Sequence, residues 1–262
     1  MIGSGLLLAS ALAPFFVNSS AQVGTSYISL GSIIEDRPMS MLYLRAGVDA
    51  DAFGRFSIHH WDVSSLTDRC GDIHRRPFYH TEQGPAWDHL WEVAEGWKIK
   101  SNLIWAWTLY RGFHEPYSDG TYQWIHVDES LENDYLVPFV AFRRCYVQAN
   151  YFYFKAGLRR LCALGHGFSL TPSVFVEGGN GKNYTRCFGK RSDGGSWGAG
   201  GVSSLTFRLT LAYYVGGGFS VYASADQYEV VGSEARETNA ARGFCCAHND
   251  WTVGTVGVHA SF

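Results

Sequence analysis

The last twelve residues of the chain, 251–262, alternate between two kinds of side chain. Every second residue back from the C-terminus is apolar (Phe262, Ala260, Val258 and Val256), and the residues between them are small or polar. Alternation with a period of two is typical of a β-strand with one apolar face. Such a strand buries that face under a second protein layer in a soluble sheet, or turns it to lipid in a membrane barrel. Recurrence of the pattern along the chain therefore decides the fold class.

Eleven other segments are candidate strands, most of them with the same alternation, although residues 135–142 are almost wholly apolar; the clearest is residues 97–110. Tryptophans stand towards both ends of that segment, with aliphatic residues between them. Aromatic residues at the two edges of an apolar band are typical of strands that cross a membrane. The other candidate strands are residues 26–34, 39–50, 55–64 (with a bulge expected at 59–61), 87–94, 121–130, 135–142, 151–159, 168–177, 202–214 and 219–228.

The connections between these segments are alternately short and long. The short ones fall near Asp51, Glu95, Glu132, Leu164 and Gly217, and the long ones are rich in glycine and charge. Transmembrane barrels sort their connections in this way, with short periplasmic turns, long extracellular loops and both termini in the periplasm. A soluble sandwich has no reason to do so. We therefore predict an all-β fold, a single closed antiparallel transmembrane β-barrel of about 12 strands, with 10 or 14 strands as alternatives.

The N-terminal segment has the pattern of a secretory signal peptide. Residues 6–17 are apolar but too few to span a bilayer, and small residues at 19–21 offer a cleavage site. We therefore predict a signal peptide at residues 1–21 and an outer-membrane barrel at residues 22–262. The segment lacks the usual Lys or Arg before its apolar run, so a buried N-terminal helix is the alternative. No later apolar stretch is long enough for a transmembrane helix.

The chain contains six cysteines, Cys70, Cys145, Cys162, Cys187, Cys245 and Cys246. An even number of cysteines in an exported chain favours disulfide bonds, whose connectivity the sequence does not give. Most of the six fall in predicted loops. Cys245 and Cys246 with His248, or Cys70 with His74, are an alternative set of metal ligands, but the chain has no CxxC pair. We predict no metal site and no cofactor.

The second face of the predicted strands carries Ser, Thr, Gly and Tyr with isolated charges of both signs, whereas a solvated outer face is rich in Lys, Glu and Asp. In a closed barrel these charges face one another across a lumen, where they either tune ion preference by their field or pair and plug the passage. The predicted lumen-lining residues are Arg45, Asp49, Glu92, Lys98, Lys100, Lys155, Arg159, Glu177, Arg208 and Asp226. The predicted lipid-facing residues are Trp97, Leu103, Trp105, Trp107, Phe152, Phe154, Leu205, Phe207, Leu209, Val256, Val258 and Phe262.

Several other functions are disfavoured by the sequence. The net charge of −3 is spread along the chain, so no nucleic-acid-binding surface is indicated. The glycine-rich pieces do not form a GxGxxG motif between a strand and a helix, so no nucleotide site is indicated. A lipid-modifying hydrolase remains an alternative, with His59 and His60, followed by Asp62 and Ser64, as its candidate residues. A non-conducting structural or adhesive barrel that presents its loops to a partner is the other alternative.

The signal segment, the alternating hairpins, the sorted loops and the terminal Phe262 together resemble a Gram-negative outer-membrane β-barrel. The layout is similar to small porins of the TorF type over essentially the whole mature chain. The resemblance implies an outer-membrane location, passive diffusion of small solutes or ions, and no enzymatic activity. It also implies contact with outer-membrane lipid and recognition by the barrel-assembly machinery through the C-terminal strand, and it assigns no specific residue.

Overall fold

The computed structural model of the chain describes residues 14–29, 32–35, 37–67, 79–111, 120–147, 150–188, 194–195, 197–198, 200–241 and 249–262. The two helices in these ranges are α1 (Gly181–Phe188) and α2 (Ser233–Ala241). The strands are β1 (Phe15–Gly24), β2 (Tyr27–Ser29), β3 (Ser32–Glu35), β4 (Met39–Asp49), β5 (Arg55–Ser65), β6 (Tyr79–Ala94), β7 (Trp97–Arg111), β8 (Gly120–Glu132), β9 (Val137–Cys145), β10 (Phe152–Arg159), β11 (Cys162–Gly165), β12 (Phe168–Gly179), β13 (Gly201–Gly216), β14 (Phe219–Val230) and β15 (Asp250–Ser261).

The strands form one closed antiparallel ring. From β4 to β10 each strand pairs with the next, and β12 to β15 continue the ring in chain order. β1 pairs with both β4 and β15, and β10 and β11 pair with β12, so the sheet has no open edge. β10 and β11 share one position in the ring, since they are interrupted only at residues 160–161. The ring therefore has twelve spanning strands, which confirms the predicted fold class.

The predicted and observed numbers of strands agree, but one predicted strand is not in the ring and one strand of the ring was not predicted. The predicted strand at residues 26–34 is not part of the ring, because β2 and β3 form a separate two-stranded hairpin. Its place is taken by β1, and residues 15–21, seven of the ten residues of β1, lie within the predicted signal peptide. β1 contacts its neighbours along both sides, so these residues belong to the barrel wall in this structure.

The two ends of the barrel differ in their connections. Short turns at residues 50–54, 95–96, 133–136, 166–167 and 217–218 lie at the end where the chain also ends, with the Phe262 amide donating to the Val17 carbonyl oxygen at 2.8 Å. We call this the turn end. The opposite end, the loop end, carries the β2–β3 hairpin, α1 and α2. The predicted sorting of short and long connections is confirmed.

The outer wall of the barrel is apolar and lies open. In β13, Phe207, Leu209 and Leu211 are 49%, 48% and 43% exposed, whereas Ser204 and Thr206 on the opposite face are 0% and 2% exposed. A closed barrel has its second layer of side chains inside, so no protein layer covers these outer residues. An exposed apolar band on a barrel with no free edge is suited to the hydrocarbon of a membrane. In the described ranges, neither helix is long or apolar enough to cross a bilayer.

The buried apolar core lies inside the barrel at the loop end. Its largest members are rings such as Trp124 of β8, Tyr228 of β14 and Phe188 of α1. β8 and β15 stand on opposite sides of the twelve-stranded ring, as do β7 and β14, so this cluster spans the barrel interior. We call it the loop-end plug, and it consists of Ile28, Ile104, Ala106, Tyr122, Trp124, Cys145, Tyr151, Tyr153, Tyr184, Cys187, Phe188, Trp197, Tyr228, Val230, Ala235 and Trp251.

Three local predictions are wrong. β6 begins at Tyr79, inside the predicted loop at residues 66–85, because its polar half faces the barrel interior rather than solvent. The predicted loops at 178–195 and 231–250 contain α1 and α2. The bulge expected at residues 59–61 is absent, since the pairing of β5 with β4 and β6 runs through these residues without a shift.

The cysteines are distributed differently from the prediction. Cys145 ends β9, Cys162 lies in β11 and Cys187 lies in α1, so none of these three is in an irregular loop. The remaining cysteines, together with the alternative metal ligands His74 and His248, lie outside the described residues. Among the described residues, no group of His, Cys, Asp and Glu side chains could hold a metal ion.

We expect the Leu209→Arg substitution at the centre of β13 to destabilise the barrel in lipid by about 2–4 kcal/mol, since a charge on the lipid face near the bilayer midplane costs that much. Thr210→Arg is the matched control, because residue 210 lies on the inward face of the same strand. Unfolding with denaturant in phospholipid vesicles measures both free energies. Equal effects of the two variants would contradict the assignment of the outer wall to lipid.

Candidate functional site: the barrel interior

The turn half of the barrel encloses a central cavity of about 450 Å³. Its walls are formed by residues of ten of the twelve ring positions, from β1 to β13, so it lies on the barrel axis. Two inward-facing carboxylate residues line it, Asp88 and Asp128, whereas Glu129 lies on the outward face of β8. Cations are more numerous, and they are Arg45, Arg55, Lys100, Lys155, Arg159 and Arg208. The cavity lining therefore carries a net positive charge.

The arginines of the central cavity are held by carboxylates of other strands. The distances from nitrogen to oxygen lie within hydrogen-bond range, and each guanidinium is thus charge-compensated. The pairs are Arg45 with Asp88 (2.5 Å), Arg55 with Asp49 (2.9 Å), Arg159 with Glu132, and Arg208 with Asp226 in a two-point contact (2.7 and 2.5 Å).

Lys155 is compensated differently from the arginines. Glu177 lies directly opposite it on β12, but that carboxylate accepts hydrogen bonds from the Tyr153 and Ser204 hydroxyls instead. The Lys155 ammonium lies 3.7 Å from the centre of the Phe175 ring, a cation–π contact. No carboxylate in the described part of the chain forms an ion pair with it. The donors of the Lys155 ammonium are therefore not taken up by a carboxylate, although the charge of Glu177 stands directly across the sheet.

Lys100 also lacks a carboxylate partner among the described residues. Its neighbours across the sheet are Leu90 of β6 and Ser130 of β8, neither of which is charged. It lines both the central cavity and a second cavity of about 450 Å³ at the turn end, the vestibule. Lys98 lines the vestibule too, with Glu92 and Glu132 as its cross-strand neighbours. The two cavities share Lys100, Arg55 and Asp88, so the central cavity continues towards the turn end.

A second polar cluster is buried in the loop half of the barrel. Glu82 Oε1 lies 3.3 Å from His59 Nε2, and Glu82 Oε2 lies 3.8 Å from Arg143 Nη1. His80 Nδ1 lies 3.0 Å from the Tyr27 hydroxyl, which comes from the β2–β3 hairpin. All but Arg143 are buried, and buried polar groups are stable only when they are paired. This cluster ties the hairpin to the barrel wall.

Helix α1 is fixed across the loop end by its own capping and by one tyrosine. The Asn180 side-chain oxygen accepts from the Asn183 amide at 3.0 Å, an N-cap contact. The Tyr184 hydroxyl donates to the Val202 carbonyl oxygen, and burial raises the pKa of this hydroxyl to about 12, so it is protonated at neutral pH. Gly200 adopts a φ of +85°, and a side chain there would collide with the Gly179 carbonyl. These contacts hold α1 in the barrel mouth.

The predicted lumen-lining residues lie on the inward-facing positions of their strands, at several depths. Glu177 and Asp226 are buried in contacts with other side chains, and Glu92 is exposed at the turn end. Arg45, Lys100, Lys155, Arg159 and Arg208 line the central cavity, and Asp49 and Lys98 line the vestibule. The sequence prediction omitted Arg55, Asp128 and Glu132, although their places in the alternation of β5 and β8 would have identified them.

The predicted lipid-facing residues lie on the outward-facing positions of their strands. Phe154 and Leu205 are half-buried there. The other ten are exposed, and they are Trp97, Leu103, Trp105, Trp107, Phe152, Phe207, Leu209, Val256, Val258 and Phe262. The Trp105 indole donates to the Tyr146 hydroxyl, so aromatic side chains pair along this part of the wall.

The hydrolase candidates do not form one constellation. His59 points into the barrel and is buried, whereas His60, Asp62 and Ser64 lie on the outer face of β5. His60 Nε2 lies 2.7 Å from Asp62, but the Ser64 hydroxyl contacts the Ser40 hydroxyl at 2.9 Å rather than a histidine. A serine nucleophile needs a base within hydrogen-bond reach, and these contacts do not provide one.

Comparison with known proteins identifies the fold and no family. The sequence matches no protein-family model and no curated protein. Among solved structures, the COG4313 outer membrane channel from Pseudomonas putida F1 matches at a TM-score of 0.57 with 8% identity, covering 100% of both chains. The KdgM porin in complex with disordered oligogalacturonate matches at 0.51 with 9% identity, covering 94% of this chain and 99% of that one. LpxR from Salmonella typhimurium matches at 0.51 with 10% identity, covering 93% and 99%. The chain shares with them the fold of an outer-membrane β-barrel.

Proposed function

We propose that the protein is a porin-like passive channel that prefers small anionic solutes. The observation that carries this proposal is the central cavity, in which six cationic residues outnumber the inward-facing carboxylates Asp88 and Asp128 inside a closed barrel. Barrels of this type turn their short connections to the periplasm, so the vestibule opens on that side. The solved channels of the same fold agree with the proposal but show only the fold.

The charge arrangement explains the preference for anions. Charges that line a narrow passage with low-dielectric walls focus their field on the axis and concentrate ions of opposite sign. The four arginines are paired with carboxylates and contribute little net charge, so the positive field of the central cavity comes mainly from Lys100 and Lys155. A passive channel of this kind needs no catalytic group and no cofactor, and its other partner is outer-membrane lipid.

The loop-end plug supports a second candidate function, a barrel that presents its loops and does not conduct. The described part of the loop end is filled by buried rings from opposite walls and by α1 and α2. Hydrophobic constrictions close channels to ions even when a passage exists elsewhere. We therefore treat the plug as the feature that separates the two candidates. The hydrolase alternative has no such support, because its residues lie on opposite faces of β5.

We expect the double substitution Lys98→Glu and Lys100→Glu to reverse the ion preference, because it replaces two cations by carboxylates along one wall of the passage, where the vestibule already carries Asp49, Asp51 and Glu132. The reversal potential across a planar bilayer under a KCl gradient measures this, and the anion-to-cation permeability ratio should fall from above one to below one. If the wild type stays silent, the same change is made in a variant with an opened plug.

Lys182→Glu is the matched control for this experiment, since Lys182 is an exposed residue of α1 away from the central cavity. It should leave the reversal potential unchanged. An unchanged reversal potential in the double variant would contradict the assignment of these lysines to the conduction path.

A further inference from the structure

We infer that the central cavity is a saturable binding site for small organic anions carrying two or three carboxylate groups, with Lys155 and Lys100 as its anion-binding residues. The inference rests on the proposed function but goes beyond ion preference, because it requires a discrete site that fills. Its basis is a difference within one cavity: the arginines are in direct ion pairs, whereas Lys155 and Lys100 form no ion pair with a carboxylate of the described residues.

The contacts of Lys155 fix the position of its ammonium group and leave its N–H donors available to a ligand. Its direct cross-strand carboxylate, Glu177, accepts from two hydroxyls instead, so the N–H donors of the ammonium stay open to another partner. The ring contact with Phe175 fixes the position of the ammonium without neutralising it. An ammonium with three donors and no bound anion gains strongly from a carboxylate at hydrogen-bond distance.

Lys100 supplies the second point of attachment. It lines the same cavity from β7, on another part of the wall from Lys155 of β10, and its cross-strand neighbours are uncharged. Two separated ammonium groups favour a ligand with two or more carboxylates over a single halide ion. A guanidinium held by a single carboxylate retains other N–H donors, so Arg208 and Arg159 can add hydrogen bonds from fixed positions.

The cavity also has an apolar wall and a limited size. Phe139 and Phe175 lie beside the cations, and the Lys155 and Arg159 charges stand 5.9 and 5.7 Å from the Phe139 ring centre. A carbon skeleton can pack on these rings while its carboxylates reach the lysines, which inorganic ions cannot do. About 450 Å³ is within the range of small-molecule sites, so the ligand class is compact organic acids.

Calorimetric titration of the detergent-solubilised barrel with citrate tests the inference. The wild type should bind with a saturable isotherm. Lys155→Gln and Lys100→Gln should each raise Kd at least about tenfold, and the double variant should show no saturation, since each substitution removes a charged hydrogen bond to a carboxylate. Lys182→Gln removes the same charge outside the cavity and should leave Kd unchanged. Lys155→Arg should retain binding within a few-fold.

Several results would overturn the site. They are a wild-type isotherm that does not saturate, equal losses in Lys182→Gln and Lys155→Gln, or binding of chloride as tight as that of citrate. Electrophoretic mobility without heating confirms that each variant is folded. The reversal potential tests the channel separately. Anion preference without saturable binding overturns the site alone, whereas saturable binding in a barrel that never conducts overturns the channel and keeps the site.

Discussion

Replacing Tyr184 and Phe188 together by alanine is expected to raise the conductance of the barrel by at least about tenfold, because the two rings are part of the hydrophobic constriction at the loop end. Both residues lie in α1, and both are buried. Their ring centres are 5.6 Å apart, and that of Tyr184 lies 5.2 Å from Trp197. Without these two rings the cluster loses its central contacts.

The substitutions should open the plug without unfolding the barrel. Removing a buried aromatic side chain costs roughly 3–5 kcal/mol where the surroundings cannot collapse onto the space. That loss falls on α1, which is a short insertion between β12 and β13 and carries no part of the strand ladder. The hydrogen bonds that close the twelve-stranded ring are untouched, so α1 should detach while the wall stays intact.

Single-channel recording in planar bilayers measures this effect. The control is Tyr135→Ala, which removes an exposed ring at the turn end, where Tyr135 is 71% exposed. It should leave conductance unchanged. If wild type and plug variant conduct equally, the plug is not the barrier. If neither conducts although both are folded, the channel function fails and the loop-presenting barrel gains support.

The wall of the barrel could be predicted because its physics is local. Each spanning strand must alternate between hydrocarbon and the interior, so the period of two is present in the sequence whatever the neighbours are. In β13 the alternation of Phe207 and Leu209 with Thr206 and Arg208 is enough to assign one face of the strand to lipid and the other to the barrel interior. The placement of short connections at one end of the barrel and long connections at the other could be predicted from their alternation along the chain. Both predictions are confirmed by the closed ring and its two unlike ends.

The interior contacts could not be predicted, because they depend on the register between strands. Sequence places Lys155 and Glu177 on inward faces, but it does not show that they stand opposite each other or that Glu177 turns to Tyr153 instead. Glu82 and His80 were missed for another reason. Their strand reads as a polar loop, since inward residues at the loop end contact each other and not lipid.

The plug was missed because its stability is entirely tertiary. α1 has the sequence GKNYTRCF and α2 the sequence SEARETNAA, each too short to be stable alone and too polar to suggest burial. Only the surrounding wall buries Phe188 of α1 and Ala235 of α2. A loop in sequence thus becomes part of a core when a barrel encloses it.

The N-terminal segment was ambiguous because the same apolar and small residues fit both a signal peptide and a barrel strand. Phe15, Phe16 and Val17 extend the apolar run of a signal peptide, and residues 18–21 provide small side chains for cleavage. The same residues alternate in exposure along β1, with Phe15 and Val17 on the outer face. Apolar content alone does not distinguish the two uses, whereas pairing on both sides does.

We expect the mature protein in the outer membrane to begin at or before Pro14, so that it retains all of β1. A chain that began at Gln22 would keep three residues of this strand. The facing edge of β4 would then lose its partners from Phe15 to Ala21, and that of β15 would lose its partners from Asn18 to Ala21. In hydrocarbon each unpaired backbone group costs several kcal/mol, and an open-edged sheet does not span a membrane. Residues 11–13, Ala-Leu-Ala, offer an A-x-A cleavage pattern directly before Pro14.

Intact-mass measurement of the protein purified from outer membranes tests this boundary. Two secreted variants sharpen the test, one whose mature part begins at Pro14 and one that begins at Gln22. The first variant should fold and resist denaturation by detergent until it is heated. The second should fail to assemble, because it lacks seven of the ten residues of β1. A folded, heat-modifiable protein whose mass corresponds to a start at Gln22 would show that β1 is dispensable, and that the ring closes in some other way than by the pairing of β1 with β4 and β15.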